Sequence, residues 1–81
     1  MGADLPHYPS IKRRGAFGEV VRNYRVAADL TQDDLSKILA CSRVAISQIE
    51  SGYQLPNLGL FAALCLAIGA PPDALLRKLL P

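Results

Sequence analysis

Few residues in this chain are equipped for covalent chemistry. The single histidine, His7, stands in a Pro-rich N-terminal stretch. Cys41 and Cys65 lie far apart, each inside an apolar pattern, so neither a CxxC pair nor a set of four metal ligands can be drawn. No Ser/His/Asp or Cys/His set can form around one histidine in an arm, and no Gly-rich phosphate loop precedes a helix. No catalytic residue, metal or cofactor is therefore expected, and both thiols read as reduced core residues. What remains is non-covalent. There is a basic cluster, Lys12-Arg13-Arg14, and a second group, Arg43, Val44, Ser47 and Gln48, whose spacing places them on one face of a helix.

The elements that must position these groups are read from periodicity and caps. With 81 residues, 51% hydrophobic and 20% charged, the chain closes one small core and is too apolar for a disordered tail. The net charge of +2 is too small to establish nucleic-acid binding, which must be argued from where the charges sit. Residues 1–14 hold Pro6, Pro9 and no periodicity, and read as a flexible arm ending in the basic cluster. From Ala16, the spacing of Phe17, Val20, Val21, Tyr24 and Ala28 predicts a first helix ending at Asp29. Thr31 caps a second, with Leu35, Ile38 and Leu39 as its apolar stripe. Ser42 caps a third that stops at Gly52, a residue suited to a left-handed terminus. Asn57 caps a fourth, Leu58 to Ile68, and Pro71-Pro72-Asp73 opens a fifth, Ala74 to Leu80. The fold class is all-α: a compact bundle of five helices over residues 15–81 behind an arm.

Leu39 ends one helix and Ser42 caps the next, so the chain turns sharply at Ala40-Cys41. That is the layout of a helix-turn-helix, in which the second helix projects its outer face. Leu35, Leu39, Cys41, Ile46 and Ile49 can turn inward together, which leaves Arg43, Val44, Ser47 and Gln48 outside. The runs Leu30-Thr31-Gln32-Asp33-Asp34-Leu35-Ser36 and Ser42-Arg43-Val44-Ala45-Ile46-Ser47-Gln48-Ile49-Glu50-Ser51-Gly52, followed by Pro56, resemble the phage Cro and repressor family of helix-turn-helix regulators. The resemblance covers roughly Phe17 to Leu76.

The resemblance implies a lambda-repressor-like five-helix bundle that binds double-stranded operator DNA, usually as a homodimer, with helix 3 in the major groove. It places Arg43, Val44 and Gln48 at base edges. Arg43 suits guanine O6 and N7, Gln48 suits adenine N6 and N7, and Val44 suits a thymine methyl. Ser47 is expected at a base or a phosphate. Gln32, aided by free amides at the start of helix 2, matches a phosphate-holding position, and Thr31 and Ser42 are expected to join it, while Tyr53 either packs over the loop or brings its hydroxyl to a phosphate. Lys12, Arg13 and Arg14 are expected to supply phosphate contacts from the arm or to enter the minor groove, because the loop after helix 3 carries Tyr53 and Gln54 where many relatives have Lys or Arg; the alternative is an ordinary solvated charge run. Arg25 and Glu50 match a partly buried ion pair between helices 1 and 3. Two departures matter. Ser36 stands where the family usually has Ala, so its hydroxyl must find a backbone carbonyl. Ala40 stands where Gly is usual, so either it takes a left-handed conformation, at a cost of roughly 1 kcal/mol, or the turn differs slightly.

Helix 4 needs only one apolar stripe, Leu58, Phe61, Leu64, Cys65 and Ile68, yet its other face carries Gly59, Ala62, Ala63 and Leu66. That face, with Leu75 and Leu79 of helix 5, is the expected dimer interface. The competing cover for it is the arm, with Leu5, Tyr8 and Ile11. No secretory signal opens the chain, and Pro6 spoils the match of Met1-Gly2 to a myristoylation site. The longest uncharged stretch is too interrupted to span a membrane, so a cytoplasmic location is expected. The expected function is a transcriptional repressor or dual regulator. The alternative is an antitoxin-type interaction module that also binds a protein partner.

Overall fold

The computed structural model describes residues 7–81; Met1, Gly2, Leu5 and Pro6 lie outside the described residues. Five α-helices follow one another: α1 Ile11–Ala27, α2 Gln32–Leu39, α3 Arg43–Ser51, α4 Leu58–Ile68 and α5 Pro72–Leu76. Among the described residues there is no strand. The core collects one stripe from each helix: Phe17 and Val21 of α1, Leu35 of α2, Ile46 and Ile49 of α3, Phe61, Leu64, Cys65 and Ile68 of α4, and Leu75 of α5. The Phe17 and Phe61 rings meet at 6.0 Å in a tilted arrangement. Burial pushes the Cys65 thiol above its ordinary range, so it stays protonated.

Most helix ends follow from local chemistry. Thr31 and Asp34 form a reciprocal capping box: the Thr31 hydroxyl accepts from the Asp34 amide, and the Asp34 carboxylate accepts from the Thr31 amide. Ser42 accepts from the Ala45 amide and Asn57 from the Leu60 amide. Ala40 takes the left-handed conformation, φ 53°, and closes the turn between α2 and α3. The Ser36 hydroxyl donates to the Asp33 carbonyl at 2.7 Å, which satisfies it inside the helix pair.

Several expectations are corrected. α1 begins at Ile11 rather than Ala16, because Ser10 caps it by accepting from the Arg13 amide. Among the described residues only 7–10 precede the helix, and Lys12, Arg13 and Arg14 lie in its first turn. α1 ends at Ala27, and Asp29 follows it in a left-handed conformation, φ 61°, which short polar side chains tolerate better than most. Ile38 is exposed, and Ser36 takes the inward place beside Leu35. Leu58 is exposed rather than part of the α4 core stripe. α5 stops at Leu76, and the chain continues in tight turns with Lys78 N–H donating to Leu75 O and Leu79 N–H to Leu76 O. Leu75 is fully buried and so cannot belong to an interface; Leu79 is half-buried and packs on the core. Tyr8 and Ile11 are exposed and do not plug the α4 face; Leu5 lies outside the described residues.

Candidate nucleic-acid interface

The site is built around α3. Its inward face is apolar, with Ile46 and Ile49 buried. That orientation leaves Arg43, Val44 and Ser47 exposed and Gln48 half-buried at the edge of the same face. At the C-terminus Gly52 adopts φ 82°, and the chain folds back so that the amides of Tyr53 and Gln54 both donate to the Gln48 carbonyl. The turn thus projects exposed Tyr53 from a fixed base next to the exposed face of α3.

Helix α1 seats α3 at three points. Gly18 allows the closest approach: a Cβ there would lie 2.3 Å from the Ile49 carbonyl oxygen and 2.4 Å from that of Glu50. Arg25 grips Glu50 with two bonds, Nε to Oε2 at 2.6 Å and Nη2 to Oε1 at 3.0 Å, and donates Nη1 to the Leu30 carbonyl at 2.7 Å. The hydrogen bond to Glu50 raises the Arg25 pKa further above its ordinary value, outweighing the opposing effect of burial, so the guanidinium stays charged. Arg14 donates Nε to the Gly52 carbonyl at 3.0 Å. The spacing of residues 14, 18 and 25 brings all three onto one side of α1.

The expected phosphate groups divide. The half-buried Gln32 donates Nε2 to Glu50 Oε1 at 3.1 Å, which leaves its second N–H and its carbonyl oxygen for a ligand. The Thr31 amide is not free, since Asp34 holds it, and the exposed Asp33 and Asp34 put negative charge in the first turn of α2. The hydroxyls of Thr31 and Ser42 accept backbone bonds as caps; the Ser42 hydroxyl keeps its proton to donate outward, while that of Thr31 serves the Asp34 carboxylate. The basic cluster does not act as one patch. Lys12 is exposed, Arg13 donates to the Leu80 carbonyl, and Arg14 is bound to the carbonyls of Gly52 and Pro9. Sequence reasoning missed the seat formed by Gly18 and Arg14. Their positions at one face of α1 are visible in the sequence, but the carbonyls they meet belong to a distant helix.

No group of metal-binding side chains occurs among the described residues, and no described helix is long and apolar enough to cross a membrane.

A family model described as a helix-turn-helix domain matches residues 16–79. No curated protein matches the chain. Among solved structures, the chain is similar to the clp gene regulator ClgR of Corynebacterium glutamicum, at 27% identity over 82% of this chain and 86% of that one, TM-score 0.71. It is also similar to the restriction-modification controller protein C.AhdI of Aeromonas hydrophila, at 25% identity over 80% of this chain and 94% of that one, TM-score 0.68. A hypothetical transcription factor of Neisseria, NHTF, shares the fold at 23% identity over 95% of this chain and 86% of that one, TM-score 0.72. With the matched region taking in α2 to α5 and α1 from its second turn onward, and α3 seated as above, the chain belongs to the helix-turn-helix domain family, as a DNA-binding protein of the Cro and repressor type.

Proposed function

We propose that this DNA-binding transcriptional regulator is a cytoplasmic repressor or dual regulator. It binds a palindromic operator as a homodimer, with α3 in the major groove of each half-site. The observation that carries the reading is the division of α3: Ile46 and Ile49 are buried, while Arg43, Val44 and Ser47 stand in solvent with Gln48 at their edge. Arg43, Val44, Ser47 and Gln48 read base edges, and Thr31, Gln32, Ser42, Tyr53 and Lys12 hold phosphates. Arg13 and Arg14 are left out of the phosphate set because their guanidinium groups are bound within the fold.

The exposed face of α4 supports the homodimer. Leu66 is 86% and Leu58 82% exposed, with Gly59, Ala62 and Ala63 exposed beside them. Leu76 lies with Leu58 along one shallow apolar groove, while Leu75 faces the core. Small residues along a helix let a partner approach closely, and a two-fold contact presents two copies of α3 to one duplex. Selection of bound sites from random duplex DNA tests the reading. Recovery of a two-fold symmetric consensus is expected; no enrichment over the starting pool overturns it.

A further inference from the structure

The C-terminal end of α3 lacks the charge that a helix end favours. It has no basic residue in its last turn and carries the acidic Glu50 there. Arg25 neutralises Glu50, and a second cation comes from the other end of α1. Arg14 donates Nε to the Gly52 carbonyl at 3.0 Å and Nη1 to the Pro9 carbonyl at 2.6 Å. Its guanidinium also lies 5.5 Å from the centre of the Tyr8 ring. Around this contact the backbones are close: a Cβ on Gly52 would stand 2.5 Å from the Gly15 nitrogen. One side chain thus ties the segment before α1 and α1 itself to the cap of α3, from which the Tyr53–Gln54 turn departs.

We propose that Arg14 is a positioning residue for DNA recognition: it caps α3 from α1, fixes the Tyr53–Gln54 turn beside the reading face, and makes no phosphate contact. This rests on the reading of α3 as the recognition helix. The planar guanidinium can serve both carbonyls and the Tyr8 ring at once. An ammonium is a point charge on a flexible stem and cannot reproduce that fork. A phosphate contact needs only the charge, so Arg14→Lys separates the two roles.

The experiment compares the full-length parent, Arg14→Lys and Arg14→Ala. Binding to the operator recovered by site selection is measured over a range of salt concentrations, and amide hydrogen exchange is measured in the free proteins. Thermal melts confirm that each variant is folded. Both variants are expected to bind roughly tenfold more weakly than the parent, with the parent's slope of log K against log salt. In Arg14→Lys the amides of Tyr53 and Gln54 should exchange faster while those of α4 are unchanged. Arg14→Lys binding at parent affinity overturns the proposal. So does a salt slope shallower by about 0.9 in Arg14→Ala, the signature of one phosphate that the side chain had neutralised. Unchanged exchange at Tyr53 and Gln54 overturns it as well. The exchange measurement needs no DNA, so a failure to find an operator would refute the DNA reading separately.

Discussion

Gly18 lies against the carbonyl of Glu50 with no room for a side chain: a Cβ at Gly18 would stand 2.4 Å from that oxygen, well inside van der Waals contact. Both partners are backbone, held in the middle of one helix and near the end of another, so neither can rotate away. The angle at which α3 leaves the body of the protein is set at this point.

Gly18→Ala should therefore destabilise the fold by about 1–3 kcal/mol, despite the gain of roughly 1 kcal/mol that alanine brings within a helix. Gly15→Ala is the control, because a Cβ there meets open space; it should stabilise slightly. Urea unfolding of both variants measures the difference, and equal effects would show that the close approach imposes no constraint.

The Arg25–Glu50 pair is enclosed, with side-chain exposures of 10% and 4%. Glu50→Ala should cost about 3–5 kcal/mol, since it leaves a guanidinium in a poorly solvated site and also releases Gln32. Arg25→Met with Glu50→Leu should cost much less than the sum of the single changes. A double-mutant cycle measured by denaturant unfolding reads the coupling. By contrast, the exposed Asp33–Lys37 and Asp73–Arg77 pairs should contribute little.

On the exposed face of α3, proposed to read bases, Arg43→Ala and Gln48→Ala should each lose roughly 1–3 kcal/mol of operator binding per half-site and relax the preference at one base pair. Both variants should remain folded, Arg43 being exposed and Gln48 only half-buried. Binding to a panel of single-position operator changes is the measurement. Parent-like affinity and selectivity in both variants would remove α3 from the base-reading role.

Acid should loosen the start of α2. The amide and hydroxyl of Thr31 hold the Asp34 carboxyl below its ordinary value. The unfolded chain therefore takes up that proton more readily than the folded one. The capping contribution is complete above the ordinary carboxylate range, and it is lost as pH falls below about 4 and through the folded value. Melting temperatures from about pH 5 down to about pH 2 should fall more steeply in the parent than in Asp34→Asn, which cannot titrate. Parallel curves would assign the acid sensitivity to another carboxylate.

Leu66→Glu should yield a folded monomer with much weaker operator binding, because it places a charge in the exposed α4 face beside Ala62 and Ala63. Equilibrium sedimentation at micromolar concentration reads the outcome. A monomeric parent, or a variant that dimerises as well as the parent, takes α4 out of the interface.

The sequence by itself determined the number and order of the helices and most of the signals that start and stop them, the Ser10 cap of α1 and the early end of α5 excepted. Ser42, Asn57, Thr31 with Asp34, and Gly52 act on groups within a few residues of themselves, and the helical period assigns inner and outer faces of α3 without reference to any neighbour. The left-handed conformation of Ala40 is one of two readings that follow from the glycine the resembling family has there, and the structure selects it over a slightly different turn. Only the tertiary structure decided the rest. Ile38 and Leu58 have the right polarity for a core but are exposed, because burial depends on which neighbouring helix arrives. Leu75 has the polarity of an interface but is buried beneath its own fold. Lys12, Arg13 and Arg14 are adjacent in sequence, yet they are separated by the helical rotation: Arg13 reaches the Leu80 carbonyl and Arg14 the Gly52 carbonyl. Gly18 and Arg14 gain their roles from carbonyls more than thirty residues along the chain. Local chemistry sets which way a helix begins and ends. Which backbone it will press against depends on packing that the sequence specifies only through all the helices together.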